Sequence, residues 1–278
     1  MKLHTTFRIG GNARVFVEPK DERELSGIVK KCRELSIEYL VVGNGSNLLV
    51  SDDGVSKAVV KLGGDFEKIE QVDETTVRAG AAVPLSVLCR FALSNGLSGL
   101  EFAYGIPGTV GGAAFMNAGA YGGEMKDVVS ACEHMDSDGN FGKLSKNELS
   151  FGYRRSAYCE NGSVVTFVTF KLEKGDKPQI EEKMNELLQR RIDKQPLSFP
   201  SAGSVFKRPE GYFAGALIEQ SGLKGKKIGG AQVSEKHAGF IVNVGEATCG
   251  DVKELIEFCQ KTVLEKFGVS LETEIKMI

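Results

Sequence analysis

Apolar residues recur at intervals of three and four over five segments of the chain, and this spacing predicts amphipathic helices. The five segments are 21–35, 84–93, 179–192, 213–220 and about 250–267. Between them lie short apolar or alternating runs bounded by turn residues, which predict strands at 15–18, 37–42, 57–62, 68–72, 75–79, 128–135, 164–172, near 227–233 and at 239–243. Because hairpin-like strands are mixed with the helices, the order predicts an α+β fold and not a doubly wound sheet.

Two breaks in this pattern indicate how the chain is organised. It opens on a β-α-β unit, and its 278 residues are enough for about two domains. Pro196 and Pro200 interrupt the pattern after the third helix, so the segment 194–201 is the predicted domain boundary. The last helix begins after Thr248 with Asp251 three residues on, which predicts a capping box.

Charge and cysteine usage narrow the class of protein. The net charge is −2, without the basic excess that a general nucleic-acid binder needs, so no nucleic-acid partner is expected. The first residues lack the apolar core of a signal peptide. The 6 cysteines include no C-x-x-C pair, which favours free thiols in a reducing compartment over zinc or disulfides. We therefore expect a cytoplasmic protein with no metal site.

The unusual feature of the composition is its 34 glycines, about 12% of the chain against roughly 7% in an average protein. One glycine cluster, GNGSNL at 43–48, directly follows a predicted strand and offers backbone N–H groups that suit a pyrophosphate oxygen. It is not a dinucleotide fingerprint, because Leu48 stands where the third glycine belongs. A glycine-rich turn without a ligand remains the alternative interpretation.

A second, longer cluster runs from Gly105 to Gly123 within a stretch that carries no charge from Phe102 onwards. It holds too many glycines and too few leucines or isoleucines for a membrane helix, and no membrane association is expected. Glycine at this density lets a backbone approach a flat ligand closely, although a tight structural loop is again the alternative. Two such loops favour an extended, phosphate-containing cofactor, and flavin adenine dinucleotide (FAD) fits better than a simple nucleotide.

The motifs TTFRIGG at 5–11, VGNGSNLLV at 42–50 and the 105–123 run together resemble the UDP-N-acetylenolpyruvoylglucosamine reductase family of bacterial flavoenzymes. The resemblance continues nearly end to end, through GYRRS at 152–156, AGSVFK at 202–207, IGGAQVS at 228–234 and LETEI at 271–275. The short interval between Tyr153 and Ser204 resembles the compact second type of this family.

The resemblance implies an FAD-binding domain like that of the vanillyl-alcohol oxidase (PCMH-type) group, with two α/β subdomains. It would span 1–173, with subdomains of about 1–54 and 55–173. A linking helix and boundary would follow at 174–197, and an α+β substrate-binding domain at 198–278, whose last strand could return to the FAD domain. FAD would be bound non-covalently, since His4, His134 and His237 lie outside the catalytic motifs. NADPH would be the hydride-donating cosubstrate.

The same resemblance implies the residues of the site. Cofactor-binding residues would be Gly43, Asn44, Gly45, Ser46, Asn47, Leu48, Pro107, Gly108, Gly111, Gly112, Asn117 and Gly119. Arg154 would be the catalytic cation, Ser204 the proton donor and Glu274 the catalytic carboxylate, with Glu272 as the residue most easily confused with it. From the residues alone, Ser204 is an ordinary loop serine, and Arg155 is a surface arginine pointing away from Arg154 on a strand.

Substrate-binding residues would be Tyr153, Lys194, Lys207 and Gln232. Between Lys194 and Lys236 the chain has seven Lys or Arg against three Glu, which suits a UDP-sugar pyrophosphate or, alternatively, forms a solvated basic face. The sequence thus predicts a monomeric flavoenzyme that uses NADPH to reduce the enolpyruvyl ether of a UDP-amino sugar in peptidoglycan precursor synthesis. A flavin oxidase on the same fold and a non-catalytic UDP-sugar or flavin-binding module are the alternatives. The presence of Arg154, Ser204 and Glu274 argues against the non-catalytic module.

Overall fold

Residues 1–278 are all described in the computed structural model, which contains eight α-helices and seventeen short strands. The helices are α1 (Glu22–Glu34), α2 (Leu85–Ser94), α3 (Val110–Met116), α4 (Met125–Val128), α5 (Tyr158–Asn161), α6 (Lys177–Lys194), α7 (Ala214–Gln220) and α8 (Cys249–Phe267). The strands are β1 (Ala13–Val17), β2 (Tyr39–Val42), β3 (Leu48–Leu49), β4 (Val55–Lys61), β5 (Ile69–Gln71), β6 (Thr76–Gly80), β7 (Leu97–Ser98), β8 (Gly119–Ala120), β9 (Gly123–Glu124), β10 (Val129–Met135), β11 (Phe141–Ser145), β12 (Val164–Lys171), β13 (Glu173–Lys174), β14 (Lys227–Ile228), β15 (Ala231–Val233), β16 (Ile241–Asn243) and β17 (Lys276–Met277).

The five helices predicted from apolar spacing are confirmed as α1, α2, α6, α7 and α8, with ends within two residues of those predicted. The predicted strand near 227–233 is instead the hairpin of β14 and β15, because Gly229 has a positive φ and turns the chain. Helix α3 was not predicted, since it lies inside the glycine-rich run. The mixture of antiparallel strands and helices confirms the α+β class.

The chain folds into two compact units, which cut the sequence at positions other than the predicted domain boundaries. The central unit comprises Val15–Gly43 and Lys57–Arg190, and the terminal unit comprises Met1–Arg14, Asn44–Ser56 and Arg191–Ile278. Each unit has its own hydrophobic core, which is the usual mark of an independently packed body. The boundaries predicted from the sequence stay a prediction.

The central unit is built on a five-stranded antiparallel sheet in the order β11-β10-β12-β6-β5. Helix α3 packs on β12 and β6, and the buried face of α2 joins the same core through Leu85, Leu88 and Cys89. A smaller sheet has the order β1-β4-β2, with β2 and β4 parallel. The predicted opening β-α-β unit therefore exists, with β4 lying between its two strands.

The terminal unit has a three-stranded antiparallel sheet, β14-β15-β16, covered by α8. The last strand, β17, runs parallel to β3, so the end of the chain pairs with the segment that follows the first glycine loop. Asp52 accepts hydrogen bonds from the backbone N–H groups of Cys249 (2.9 Å) and Gly250 (3.1 Å) at the start of α8. These contacts join three separate stretches of sequence into one body.

The predicted capping box at the start of α8 is confirmed. The Asp251 carboxylate accepts from the Thr248 N–H at 3.0 Å, and Thr248 Oγ1 accepts from the Asp251 N–H at 3.0 Å. Asp251 also accepts from the Gly230 N–H at 3.1 Å, so it fixes the β14–β15 turn to the helix. These backbone donors, that of Thr248 first, lower the pKa of Asp251 below its ordinary value.

Replacing this carboxylate should weaken the terminal unit in a pH-dependent way. A folded-state pKa below the unfolded one adds stability above the unfolded pKa, and this contribution is lost as the pH falls through the folded pKa. We expect Asp251→Ala to lower the free energy of unfolding by about 1 kcal/mol at neutral pH, with a smaller difference from the parent protein below about pH 4. Urea unfolding followed by circular dichroism measures both, and Glu257→Ala on the exposed face of α8 is the control. A pH-independent difference would contradict this account.

Candidate functional site

The centre of the glycine-rich run is helix α3, which lies directly on the backbone that follows β6. The Val110 N–H donates to the Val83 carbonyl at 2.8 Å, and the Gly111 N–H donates to the Ala81 carbonyl at 2.9 Å. A Cβ built on Gly111 would lie 2.6 Å from the Ala81 Cβ. Glycine is required here because the two backbones are too close for a side chain. The uncharged run is therefore packed against another part of the chain.

The two glycine loops touch each other within the central unit, through Gly43 and Thr109. Thr109 is buried, and its Oγ1 accepts from the Gly112 N–H at the start of α3. A Cβ on Gly43 would lie 2.4 Å from that oxygen, so only glycine allows the first residue of the 43–48 loop to contact the second loop. The structure thus brings together two segments that the sequence analysis singled out separately.

The residues around the start of α3 fit a flavin dinucleotide. Gly112 is exposed, and a Cβ built on it would meet only Thr109 Oγ1, at 3.5 Å. Its lack of a side chain therefore leaves the backbone of the first helical turn open to a ligand, whereas the missing side chain of Gly111 is explained by Ala81. Pro107 is also exposed, and Gly108 is half-buried. Within 107–112, the exposed Pro107 and Gly112 and the half-buried Gly108 are the residues that would contact the cofactor, since Thr109, Val110 and Gly111 are buried.

The rest of the first loop, Asn44 to Leu48, belongs to the terminal unit and is fixed to the C-terminal strand. Asn47 Nδ2 donates to the Glu274 carbonyl at 3.2 Å, and the Asn47 carbonyl accepts from the Lys276 N–H at 2.8 Å. Gly45 has φ +60, and a Cβ on it would lie 2.4 Å from the His4 carbonyl. This part of the loop is therefore held in shape by the protein itself.

Ser204 and Glu274 are carried on neighbouring backbone segments of the terminal unit. The Glu274 N–H donates to the Val205 carbonyl at 2.7 Å, and Phe206 forms a bridge with Thr273. Both Ser204 and Glu274 are half-buried, and Ser204 Oγ donates to the Phe206 carbonyl at 3.2 Å. Two of the three predicted catalytic residues are thus brought close along paired backbone.

His237 supports the backbone segment next to Ser204. This structural function of His237 was not predicted from the sequence. Its Nδ1 accepts from the Gly239 N–H at 3.1 Å, and the Gly239 carbonyl accepts from the Val205 N–H at 2.9 Å. A Cβ on Gly239 would lie 3.0 Å from the His237 ring and 3.6 Å from Ser204 Oγ. Burial lowers the pKa of His237, so the ring is a neutral acceptor at neutral pH. No sequence pattern marks this residue, because its partner is a backbone group.

The third predicted catalytic residue, Arg154, lies in the central unit on a tight turn. The backbone groups of Gly152 and Arg155 exchange hydrogen bonds of 3.0 and 3.3 Å, and Arg154 has φ +56. The strand expected here was wrong, since a strand requires negative φ throughout. Arg155 does point to the surface, where it pairs with Glu160 at 2.9 Å. Tyr153 is half exposed, and the Arg154 guanidinium lies 5.1 Å from its ring centre.

Asn117 and Gly119, both predicted to bind the cofactor, lie at the far end of α3. Asn117 is fully buried, and both of its amide hydrogens are donated within the protein, to Glu124 Oε2 and to the Gly152 carbonyl, each at 2.9 Å. Gly119 lies in the β8–β9 hairpin, where a Cβ would come 2.7 Å from Glu124. Contacts within the protein therefore explain why asparagine and glycine occupy these two positions.

The predicted substrate-binding residues lie in the terminal unit, apart from Tyr153. Lys194 is the last residue of α6. Lys207 forms an ion pair with Glu272 at 2.9 Å, and the Gln232 amide donates to the Gly225 carbonyl at 3.2 Å. The ion pair with Lys207 distinguishes Glu272 from Glu274. From the sequence, the two residues could be told apart only by the family resemblance.

Further features bear on the class of protein. All six cysteines are free, and burial raises the pKa of Cys89, Cys132 and Cys259 to about 12, which keeps these thiols neutral. No three His, Cys, Asp or Glu side chains are grouped so that they could hold a metal ion. None of the helices combines the length and apolar character needed to cross a membrane.

Comparison with known proteins agrees with this geometry over the whole chain. Residues 13–145 match the FAD binding domain family, and residues 195–278 match the family of the UDP-N-acetylenolpyruvoylglucosamine reductase C-terminal domain. The reductase of that name from Clostridioides difficile (strain 630) is 48% identical, over 100% of this chain and 91% of its own. The one from Clostridium botulinum (strain 657 / Type Ba4) is 51% identical, over 100% and 90%. The crystal structure of the Thermus caldophilus enzyme has a TM-score of 0.86 at 40% identity, covering 99% of this chain and 96% of that one.

The fold and the site therefore define a flavoprotein oxidoreductase with an FAD-binding domain of the PCMH type followed by a separate C-terminal domain. Because relatives close to half identical match over its full length, the chain belongs to the UDP-N-acetylenolpyruvoylglucosamine reductase family, in its compact form.

Two adjacent glycines of α3 should respond differently to the same substitution. We expect Gly111→Ala to cost about 1–3 kcal/mol of stability, because its methyl group would overlap Ala81. Gly112→Ala should fold normally but hold FAD less tightly, because its methyl group would occupy the open face of the first turn. Thermal unfolding of the apoprotein and quenching of flavin fluorescence on titration measure the two effects. Unchanged FAD affinity in Gly112→Ala would contradict this assignment of the cofactor site.

Proposed function

We propose that Arg154, Ser204 and Glu274 act on the substrate in the reaction of this family, the reduction of an enolpyruvyl ether on a UDP-N-acetyl amino sugar. Membership of the family gives the reductase activity in peptidoglycan precursor synthesis, with FAD as cofactor and NADPH as reductant. FAD held at Pro107, Gly108 and Gly112 would supply the hydride chemistry that links NADPH to the methylene carbon of the enolpyruvyl group. A proton added to the neighbouring carbon completes the reduction of the double bond, while NADPH is oxidised to NADP⁺.

Arg154 would stabilise the charge that develops on the substrate during this reduction. Hydride addition to a double bond conjugated to a carboxylate moves negative charge onto that carboxylate. A guanidinium presents planar donors that match a carboxylate, and one well-placed donor can be worth 10²–10³ in rate. The half-buried position of Arg154 on a tight turn supports this assignment, because a fixed cation needs no rearrangement as the charge appears.

Ser204 would donate the proton that ends on the substrate carbon. Ser204 is half-buried, its backbone is held by the bridge with Phe240, and its hydroxyl is oriented by the hydrogen bond to the Phe206 carbonyl. A serine is a weak acid, but carbanion-like charge on the acceptor makes proton transfer feasible within hydrogen-bond reach. Glu274 would act as the catalytic carboxylate beside Ser204. The observation that supports the pair best is the 2.7 Å hydrogen bond from the Glu274 N–H to the Val205 carbonyl, next to Ser204.

The substrate's pyrophosphate and uridine would be bound by Tyr153, Lys194, Lys207 and Gln232, helped by the basic excess of the segment 194–236. We further propose that the enzyme works as a monomer in the cytoplasm, where NADPH, UDP-sugars and reduced cysteines coexist.

The proposed reaction predicts two separate colour changes. NADPH should bleach the oxidised-flavin absorbance of the purified protein, and under anaerobic conditions only the enolpyruvyl UDP-sugar should restore it. Stopped-flow absorbance at the flavin band measures both steps. Recolouring by oxygen with release of peroxide, and no response to the UDP-sugar, would instead indicate the oxidase. Absence of flavin from the protein, with none taken up, would refute the cofactor assignment.

Substitutions at the two neighbouring residues should affect only the second step. Ser204→Ala and Glu274→Gln should each slow flavin reoxidation by the UDP-sugar at least about 10²-fold, because they act only on the developing product. Bleaching by NADPH should change less than about twofold. The matched control is Glu272→Gln, two residues from Glu274, which should retain the reoxidation rate at saturating substrate. Equal losses in both steps would remove the substituted residue from its proposed function.

A further inference from the structure

Asn117 occupies an unusual position for a residue in a glycine-rich cofactor motif. It ends α3 with φ +44, in the left-handed region that asparagine tolerates better than most residues. Its side chain is fully buried, and every hydrogen-bonding group of the amide is used: both Nδ2 hydrogens are donated, and Oδ1 accepts from the Lys126 N–H at 2.9 Å. Because all of these bonds are made within the protein, the Asn117 side chain supports the backbone around it.

The group that Asn117 holds is the turn carrying Arg154. The Gly152 carbonyl accepts from Asn117 Nδ2 at 2.9 Å and also from the Arg155 N–H at 3.3 Å, so this bond fixes the first residue of the turn. On the other side of the turn, buried Ser156 donates its hydroxyl to the Phe115 carbonyl at 2.8 Å. The last residues of α3 therefore hold the turn at both ends.

The turn needs this support because its backbone is strained. Arg154 has φ +56, and a long side chain in this region costs of order 1 kcal/mol or more. Such conformations persist only where the surrounding structure determines them. In isolation, the segment would relax and carry the guanidinium to another position.

Glu124 adds an electrostatic constraint to the same turn. Its Oε2 accepts from Asn117 Nδ2 at 2.9 Å and pairs with Lys126 Nζ at 2.9 Å. The hydrogen bond from Lys126, that from Asn117 and the nearby charge of Arg154 lower the pKa of Glu124, so it is ionised at neutral pH. Glu124 is therefore a fixed negative charge beside the turn, because the Asn117 amide that bonds it also bonds the Gly152 carbonyl.

We infer that Asn117 and Glu124 are positioning residues for Arg154: Asn117 fixes the backbone of its strained turn, and Glu124 orients its guanidinium. The inference rests on the proposed function of Arg154 as the cation that stabilises the reaction. It assigns to Asn117 a purpose other than cofactor contact, and it adds Glu124, which no motif marked. Because the second glycine loop starts the same helix that Asn117 ends, α3 relates the proposed flavin-binding backbone to Arg154.

The experiment compares single and double variants in the two half-reactions. Glu124→Gln keeps the side-chain shape and an acceptor for Asn117 but removes the charge. Asn117→Gly removes the hydrogen bonds, while glycine accepts the positive φ. The matched control is Glu160→Gln, which breaks the ion pair of Arg155, the next residue of the same turn. Arg154→Lys and the double variants with it complete the set, and flavin absorbance and thermal unfolding confirm that each protein is folded and loaded.

We expect Glu124→Gln and Asn117→Gly to slow flavin reoxidation by the enolpyruvyl UDP-sugar about tenfold or more, with bleaching by NADPH changed less than about twofold. Glu160→Gln should change neither step by more than about twofold. In the Arg154→Lys background, Glu124→Gln should have little further effect, because the two residues act through one group.

The following results distinguish the positioning inference from the proposed function of Arg154. If Arg154→Lys reoxidises at the normal rate, the planar guanidinium is not needed, and the proposed contact of the Arg154 guanidinium with the substrate carboxylate fails. If Arg154→Lys is slow while both Glu124→Gln and Asn117→Gly are normal, the proposed function stands and the positioning inference fails. Additive losses in the double variants, or equal losses in both half-reactions, would also overturn it, since a general structural defect would not depend on Arg154.

Discussion

The arrangement of the central unit depends on the absence of a side chain at one position of a short helix. The backbone of α3 lies on the segment that follows β6, with hydrogen bonds from Val110 and Gly111 to the carbonyls of Val83 and Ala81. A single methyl group on Gly111 would reach to 2.6 Å from Ala81. Because that segment continues β6, an inner strand of the antiparallel sheet, the helix is fixed to the main sheet of the unit.

Both ends of α3 are then positioned by the same contact. At its start, Thr109 meets Gly43 and joins the two glycine loops. At its end, Phe115 and Asn117 hold the turn that carries Arg154. With seven residues, two of them glycine, the helix has little intrinsic stability, so its place is set by packing. The second glycine loop and the turn that carries Arg154 are thus related through one short helix of about two turns.

The sequence predicts the parts of this fold that have a periodic signal. Apolar spacing located α1, α2, α6, α7 and α8, because an amphipathic face is a local property of the chain. It did not reveal α3, whose residues are all apolar or glycine, so that the helix has no polar face, and which packs on the distant strands β6 and β12. It also misjudged the Arg154 turn, since the hydrogen bond that holds it comes from Asn117, 35 residues away. Contacts between backbone and a distant side chain leave no trace in periodicity.

A family motif likewise identifies a site without saying what each of its residues touches. A Cβ on Gly43, Gly45 or Gly111 would collide with the protein itself. The Asn117 amide forms all of its hydrogen bonds with protein groups. Gly112 is different, because a side chain there would meet open space beside Thr109. The glycines of the two loops therefore divide into those that shape the backbone and those that leave it uncovered. Gly43 allows the two loops to meet, whereas the missing side chain of Gly112 leaves uncovered the backbone where the proposed cofactor would lie.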